Sequence, residues 1–169
     1  MSSVLEAELL VHLDTQINSA RRLLGFVLEQ GKAIRTRDVD TVLARLTDVQ
    51  TEMGRRGALE QERAALLQRA GAALGVPAAQ VTLERLCSLV TPGAADAARQ
   101  RSAELRGLLA EIAREHGINR ALMRQELAFL AHLTRLVGQD TEPGYARPDG
   151  QGTAAAGAPP VHRALDLQA

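Results

Sequence analysis

Apolar residues recur along the first part of the chain at alternating steps of four and three. In the first segment, 3–35, they are Leu13, Ile17, Ala20, Leu24, Val27 and Ile34, with Gly31 at the missing step. After a break at 35–38 the spacing resumes with Val39, Val42, Leu46, Val49 and Met53. This is the spacing of a coiled-coil seam. The pattern predicts two long helices joined by a short turn, and therefore an adjacent antiparallel pair.

The phase of this pattern changes near residues 54–57, which contain Gly54 and Gly57. Beyond them the stripe continues as Leu59, Leu66, Ala70 and Leu74. A phase slip changes the supercoil locally, and glycine weakens a helix, so we expect a bend or a local unwinding here. Gly75 followed by Pro77 predicts the end of the second helix.

The remaining chain divides into a short crossover, a third long helix and a tail. Residues 78–90 predict a short helix, and Thr91-Pro92 is a typical helix start. The last stripe is Leu105, Leu109, Ile112, His116, Asn119, Met123, Leu127, Leu130, Leu133 and Val137. Gly, Pro, Asp, Thr and Ala dominate from 139 onward, which is typical of disorder. We therefore expect a helical domain over 1–138 and a flexible tail over 139–169.

The composition agrees with long helices. Apolar residues make up 46% of the chain but aromatic residues only 2%. A wide globular interior usually needs aromatic rings, whereas the narrow seam between helices needs only Leu, Val, Ile and Ala. The predicted fold is all-α: an elongated antiparallel helical bundle of three long helices plus a short crossover helix.

The charge balance argues against several kinds of partner. Twenty basic and twenty acidic residues cancel, so the chain lacks the field that draws proteins to nucleic acids or acidic membranes. No apolar run approaches the ~18 residues that span a bilayer, and the first residues do not form a signal peptide. We expect a cytoplasmic protein with no nucleic acid bound and no membrane insertion.

Catalytic and metal chemistry find little support in the sequence. Cys87, the only cysteine, lies between Leu86 and Leu89 and is typical of a small buried residue. The four histidines are His12, His116, His132 and His162. They form no i,i+4 pair, and no ligand set accompanies them. We expect no cofactor, no metal and no enzymatic activity.

Two polar residues, His116 and Asn119, interrupt the last apolar stripe. A polar residue on a helical seam costs stability, and its best-attested use is to fix register or partner choice. Most such stripes are simply core. The pattern over 119–137 leaves two alternatives open: burial inside the protein, or a face that binds another helix.

The last stripe and the residues after it also carry a set typical of one family. The set is Asn119-Arg120-Ala121-Leu122-Met123, Leu127, Phe129-Leu130, Leu133 and Leu136, then Gly144-Tyr145 and Gly150. The second helix adds Leu59-Glu60-Gln61-Glu62-Arg63. This arrangement, over about residues 4–150, resembles the FlgN family of flagellar export chaperones. The chain departs from the family pattern at His116, where a further Asn is often found, and at Gly117.

The resemblance implies a cytoplasmic chaperone for hook-filament junction (hook-associated) proteins. Such a chaperone covers the C-terminal helical segment of its client, prevents premature assembly and delivers the client to the flagellar type III export apparatus. The client-binding residues implied are Asn119, Leu122, Met123, Leu127, Leu130, Leu133 and Leu136. Tyr145 is implied as a contact with the export machinery. The alternative is a structural coiled-coil scaffold subunit that self-associates through the same stripe, and a weak homo-oligomer is compatible with either.

Overall fold

The protein is described by a computed structural model over residues 2–139, with side chains over 3–137. The elements are α1 (Ser2–Thr36), α2 (Val39–Leu74), a 3-10 turn (Ala78–Gln80), α3 (Leu83–Cys87) and α4 (Pro92–Gln139). No strand occurs within the described range, and the predicted all-α fold of three long helices with a short crossover is confirmed. The predicted tail and Tyr145 lie outside the described residues.

The helix ends form where the sequence places them. The side chain of Asp38 accepts a hydrogen bond from the backbone N–H of Thr41 at 3.1 Å and so caps α2. Gly75 ends α2 in the left-handed conformation, with φ 67°, a conformation that glycine adopts at low cost. Arg37 holds a similar φ of 56° in the turn between α1 and α2. The turn is therefore short, and it reverses the chain as predicted.

Helix α1 lies between the other two long helices. It packs against both α2 and α4, whereas α2 and α4 hardly approach each other. Ion pairs from Glu8 to Arg69 and from Glu29 to Arg45, at 2.7 and 2.9 Å, join opposite ends of α1 and α2. The pairing shows that α2 runs antiparallel to α1.

Helix α4 runs in the same direction as α1. At its start, the carboxylate of Glu6 accepts hydrogen bonds from the backbone N–H and the hydroxyl of Thr91, at 3.1 and 2.9 Å. Further along, Asp14 accepts from Arg101 at 2.6 Å. The crossover thus returns the chain to the start of α1, and α4 then follows α1 along its whole length.

The best-packed core lies at the crossover end of the molecule. Its buried residues are Leu9, Leu13, Leu66, Ala70, Leu86, Cys87, Ala95 and Ala98. All four helices contribute to it, and alanine on α4 allows the helix backbones to approach closely. Burial of this cluster supplies the apolar stabilisation that holds the crossover against the long helices.

The face that α2 turns toward α1 differs from the predicted one. Glu52, Leu59 and Leu66, which follow each other at seven-residue spacing, are buried. The predicted seam residues Val39, Leu46 and Met53 are instead exposed to 65%, 43% and 53%. The prediction that these residues pack inside the hairpin is therefore wrong.

Helix α2 also runs without interruption through residues 54–57. The phase slip in the sequence consequently marks a change of face, not a break in the helix. One face of α2 packs on α1 throughout, while a second face carries apolar residues over the first half of the helix only.

Candidate functional site

An apolar groove opens where the hairpin turn meets the second half of α4. It has a volume of about 500 Å³. Its apolar lining is Ile34, Val39, Val42, Leu43, Met123, Leu127, Phe129, Leu130 and Leu133, and its polar residues are Arg37 and Glu126. Several of these side chains remain largely exposed, including Leu43 at 56% and Leu130 at 55%. Exposed apolar residues grouped in this way are typical of a binding surface.

The length of α4 creates the outer wall of the groove. Helix α4 has 48 residues, against 35 in α1 and 36 in α2. Arg37, just beyond the end of α1, pairs with Glu126 at 3.3 Å. At 1.5 Å per residue, the part of α4 after this pair continues for about 20 Å. Helix α1 ends before this stretch, so it does not cover Leu127, Leu130 and Leu133, which remain exposed.

Charged residues on α2 explain why the apolar stripe of α2 is exposed in the groove. Arg45 and Glu52 occupy the face toward α1, where they pair with Glu29 and Arg22. Because these polar pairs fill the contact, the apolar stripe that begins at Val39 lies about 100° away around the helix. That stripe borders the groove instead of the hairpin.

Glu52 is the most completely buried of these charges. None of its side chain is exposed, and it accepts two hydrogen bonds from Arg22, at 2.9 and 3.2 Å, and one from Arg55 at 3.3 Å. These bonds, led by those from Arg22, lower the pKa of Glu52 against the opposing effect of burial. The carboxylate is consequently ionised and satisfied at neutral pH, as a buried charge must be.

Arg37 ties the two walls together at the rim. Besides its ion pair with Glu126, its guanidinium lies 5.9 Å from the ring centre of Phe129. A cation at this distance from an aromatic face is attracted to it. The two contacts hold α4 beside the turn, so the groove exists before any ligand arrives.

Asn119 lies below the groove and points into the protein. Its side chain is 3% exposed, and its Nδ2 donates to the backbone carbonyl of Val27 at 2.7 Å. A Cβ on Gly31 would come within 2.5 Å of Asn119 Oδ1, so Gly31 provides the space that this side chain needs. Asn119 fixes the register of α4 on α1. Its side chain is buried, whereas the sequence suggested that it contacts a client.

The other residues assigned from the sequence fall into three groups. Met123, Leu127, Leu130 and Leu133 line the groove together. Leu122 is half-buried and Leu136 is 47% exposed, but neither lines it. Tyr145 lies outside the described residues. His116, the other polar residue on the stripe, is exposed and not a core contact.

Sequence reasoning missed the α2 wall of the groove. Val39 and Leu43 are as exposed as the α4 residues they face, at 65% and 56%. The sequence carries no clear signal for this wall, because only the ion pairs of Arg45 with Glu29 and of Glu52 with Arg22 show that these charged residues face α1. Phe129 was noticed only through the resemblance, and it is both a lining residue and the ring beneath Arg37.

Outside the groove, burial shifts the pKa values of two described residues, Cys87 and His12. Cys87 is buried, its Sγ donates to the backbone carbonyl of Ala95 at 3.7 Å, and burial raises the pKa of its thiol. Burial likewise lowers the pKa of His12, with Glu62 opposing the shift. Within residues 2–139, no cluster of three His, Cys, Asp or Glu side chains could hold a metal ion.

The long helices also lack the character of membrane spans. Over the described part of the chain, no helix combines the length and the apolar character needed to cross a bilayer. The apolar surface of α4 is a stripe, flanked by charged residues such as Arg124 and Arg135, and such a stripe suits contact with another amphipathic helix.

Comparison with known proteins identifies a family for the chain. No curated protein and no solved structure matches the chain. The family model described as FlgN protein matches residues 1–151, which includes both walls of the groove and most of the chain. The chain therefore belongs to the FlgN family, a family of flagellar export chaperones.

Proposed function

We propose that the protein binds the C-terminal helical segment of a hook-filament junction protein in the groove between α2 and α4. Binding keeps the client from assembling prematurely, and the complex then delivers it to the flagellar export apparatus. The chaperone acts in the cytoplasm and carries out no chemical reaction. The observation that carries the proposal is the open apolar groove at the end of the α1–α2 hairpin.

The dimensions of the groove support a helix as the ligand. Met123 to Leu133 covers about 15 Å of α4 at 1.5 Å per residue, or roughly three turns. A client helix with apolar residues at i, i+3, i+4 and i+7 presents a matching stripe over that distance. Val39 and Leu43 then contact it from the other side. The client thereby supplies the packing that α1 provides along the rest of α4.

The physics of the groove also suits transient binding. Met123 has an unbranched, adaptable side chain that fits several apolar surfaces. A client segment that becomes helical only on binding loses conformational entropy, which lowers its affinity for a given contact area. Moderate affinity permits release at the export apparatus without a covalent step.

The decisive test replaces groove leucines by a charged residue. Leu127→Asp together with Leu130→Asp places two carboxylates on the apolar wall, and we expect capture of the hook-associated protein from flagellated cells to fall at least tenfold. The measurement is an affinity pull-down with the client identified by mass spectrometry. It is followed by titration of the purified client's C-terminal peptide.

A matched control is available on α1. Val4 and Val11 are 61% and 64% exposed, close to Leu127 at 60%, and they lie near the crossover end. The variant Val4→Asp/Val11→Asp should bind the client normally, and both variants should keep their helical circular dichroism. Loss of helical signal in the groove variant alone would show that the leucines are core and would remove the proposed site.

The pull-down also tests the structural alternative. Recovery of only the chain itself, lost in the Leu127→Asp/Leu130→Asp variant, would assign the groove to self-association. The protein would then be a coiled-coil scaffold subunit, and the proposal of client binding would fail.

A further inference from the structure

One flank of α4 carries a row of arginines that nothing in the described structure neutralises. The row is Arg106, Arg120, Arg124 and Arg135. At 100° per residue they lie within a sector of about 60°, and all four are exposed. Their side chains form no ion pair and no hydrogen bond with another described residue.

The other arginines of α4 behave differently. Arg99, Arg101 and Arg114 pair with carboxylates at 2.7, 2.6 and 2.6 Å. Those pairs lie in the first half of the helix. From residue 116 to the end of α4 the sequence contains a single acidic residue, Glu126, and Arg37 already occupies it. The groove end of α4 is therefore positively charged on a chain whose formal net charge is zero.

Two arginines of the row, Arg120 and Arg124, lie beside the groove on the surface of α4. Leu127, 60% exposed, lines the groove, and Arg120 and Arg124 precede it by seven and three residues. They lie on its face of the helix and toward its outer side. A helix docked along Met123, Leu127 and Leu130 passes these guanidinium groups.

A purely local role does not account for the row. Cations near the C-terminus of a helix are favoured by the helix dipole, but the effect is confined to about the last turn. Arg135 is close enough to the end of α4 at Gln139 to benefit. Arg120 and Arg124 lie several turns earlier and gain nothing from it.

We propose that the ligand of the groove is an amphipathic helix with acidic residues along one edge of its apolar stripe. Those carboxylates pair with Arg120, Arg124 and Arg135, so a helix lying along α4 carries them at spacings near four and eleven residues. The inference rests on the proposed function and specifies the chemistry of the client segment. Arg–carboxylate pairs at a rim act mainly on selectivity and association rate.

The test uses two synthetic helical peptides with the same apolar stripe. One has Glu at the three flank positions and the other has Gln, and each is titrated against the full-length chain by fluorescence anisotropy. We expect the Glu peptide to bind about tenfold more tightly, because three exposed ion pairs of ordinary strength multiply to a factor of that order. Raising the salt concentration should reduce this preference.

Arginine variants locate the effect. The double variant Arg120→Gln/Arg124→Gln should lose most of the preference for Glu while binding the Gln peptide unchanged. A matched control is Arg63→Gln/Arg114→Gln, which removes two arginines already paired within their own helices. The control should keep the preference.

The outcomes separate this inference from the proposed function. If both peptides bind equally and Leu127→Asp/Leu130→Asp abolishes binding, the groove binds helices but the acidic edge is refuted. If the preference for Glu survives in Arg120→Gln/Arg124→Gln, the arginine row is not its source and the inference fails. If neither peptide binds, both the inference and the groove as a helix site fail.

Discussion

The two ends of the molecule use the same kinds of residue for opposite purposes. At the crossover end, Leu66 and Leu86 are 4% and 5% exposed and lie in a closed core. At the turn end, Leu43 and Leu130 are 56% and 55% exposed and line an open groove. The difference is whether another helix covers the leucines. The crossover with α3 covers those at one end, whereas at the other end α4 extends beyond α1 and its leucines stay exposed. The spacing of the leucines thus defines an apolar helix face, and the neighbouring helices determine whether that face is buried or exposed.

The sharpest way to break this comparison is to truncate one leucine at each end. Leu66→Ala leaves a cavity in the closed core and should cost about 2–4 kcal/mol of unfolding free energy. Leu130→Ala removes an exposed side chain and should cost at most ~0.5 kcal/mol. Urea unfolding followed by circular dichroism measures both. Equal losses at the two sites would mean that the turn end is packed like the crossover end.

The contact between α1 and α4 at Gly31, between the closed core and the open groove, gives the next test. Alanine favours a helix over glycine by ~1 kcal/mol, but its Cβ would lie 2.5 Å from Asn119 Oδ1. Overpacking of this kind costs about 1–3 kcal/mol, so Gly31→Ala should destabilise the protein by roughly 1 kcal/mol net. Thermal and urea unfolding give the sign directly.

Gly25 supplies the control for that change, because nothing lies within 4 Å of a Cβ built there. Gly25→Ala should therefore stabilise the protein, by up to ~1 kcal/mol. Asn119→Ala removes the clash, so Gly31→Ala should cost less in the Asn119→Ala protein than in the unmodified protein. A stabilising Gly31→Ala would contradict the contact between Gly31 and Asn119.

A smaller effect than at Leu66 or Gly31 is expected at Glu52, whose ionised form the fold favours. Hydrogen bonds from Arg22 lower its pKa from the ordinary value of 4.5, so its contribution is complete above that pH and is lost as the pH falls through the folded-state pKa. Glu52→Gln should cost ~0.5–1 kcal/mol at pH 7, since Arg22 is half exposed and can be solvated. The difference from the unmodified protein should shrink toward pH 3.

An exposed pair gives the reference for this measurement. Glu60 and Arg63 are both 54% exposed and form an i,i+3 pair on α2. Glu60→Gln should change stability by less than ~0.5 kcal/mol. If the two variants had the same effect at every pH, burial of Glu52 would be without consequence for the hairpin.

The sequence predicted the helices well because their signals are local. Asp38 and Gly75 cap helices through bonds within one turn, and Pro92 begins α4 as expected. The stripe of α1 was also predicted correctly, because five of its residues are buried: Leu13, Ile17, Ala20, Val27 and Ile34. A helix covered on both sides buries more than one stripe, so the period identified these five residues but not others such as Leu9 and Leu23.

The same reasoning failed for α2 because the spacing of apolar residues does not show which neighbouring surface that helix face contacts. Val39 and Leu46 share a face with Met53, as predicted, but that face lies away from α1. The deciding fact was the pairing of Arg45 and Glu52 with α1. Such pairing depends on register between helices, which a single sequence does not reveal.

Asn119 shows how a correct physical principle can support the wrong location. A polar residue on a seam was expected to fix register, and the bond from Asn119 to the carbonyl of Val27 does this. The sequence left open which helix it would meet. In the structure, the carbonyl of Val27 and the space at Gly31, both far away in the chain, identify α1 as its neighbour.

The position of the groove walls along the chain has a consequence for synthesis. Val39 and Leu43 leave the ribosome early, whereas Leu127, Leu130 and Leu133 follow almost at the end of the described chain. The α1–α2 hairpin, with local contacts, can form first, but the groove is complete only when α4 has docked along α1. A nascent or truncated chain that lacks α4 has one wall and cannot enclose a helix. Under the proposed function, ligand capture therefore requires a chain that has been synthesised through the second half of α4.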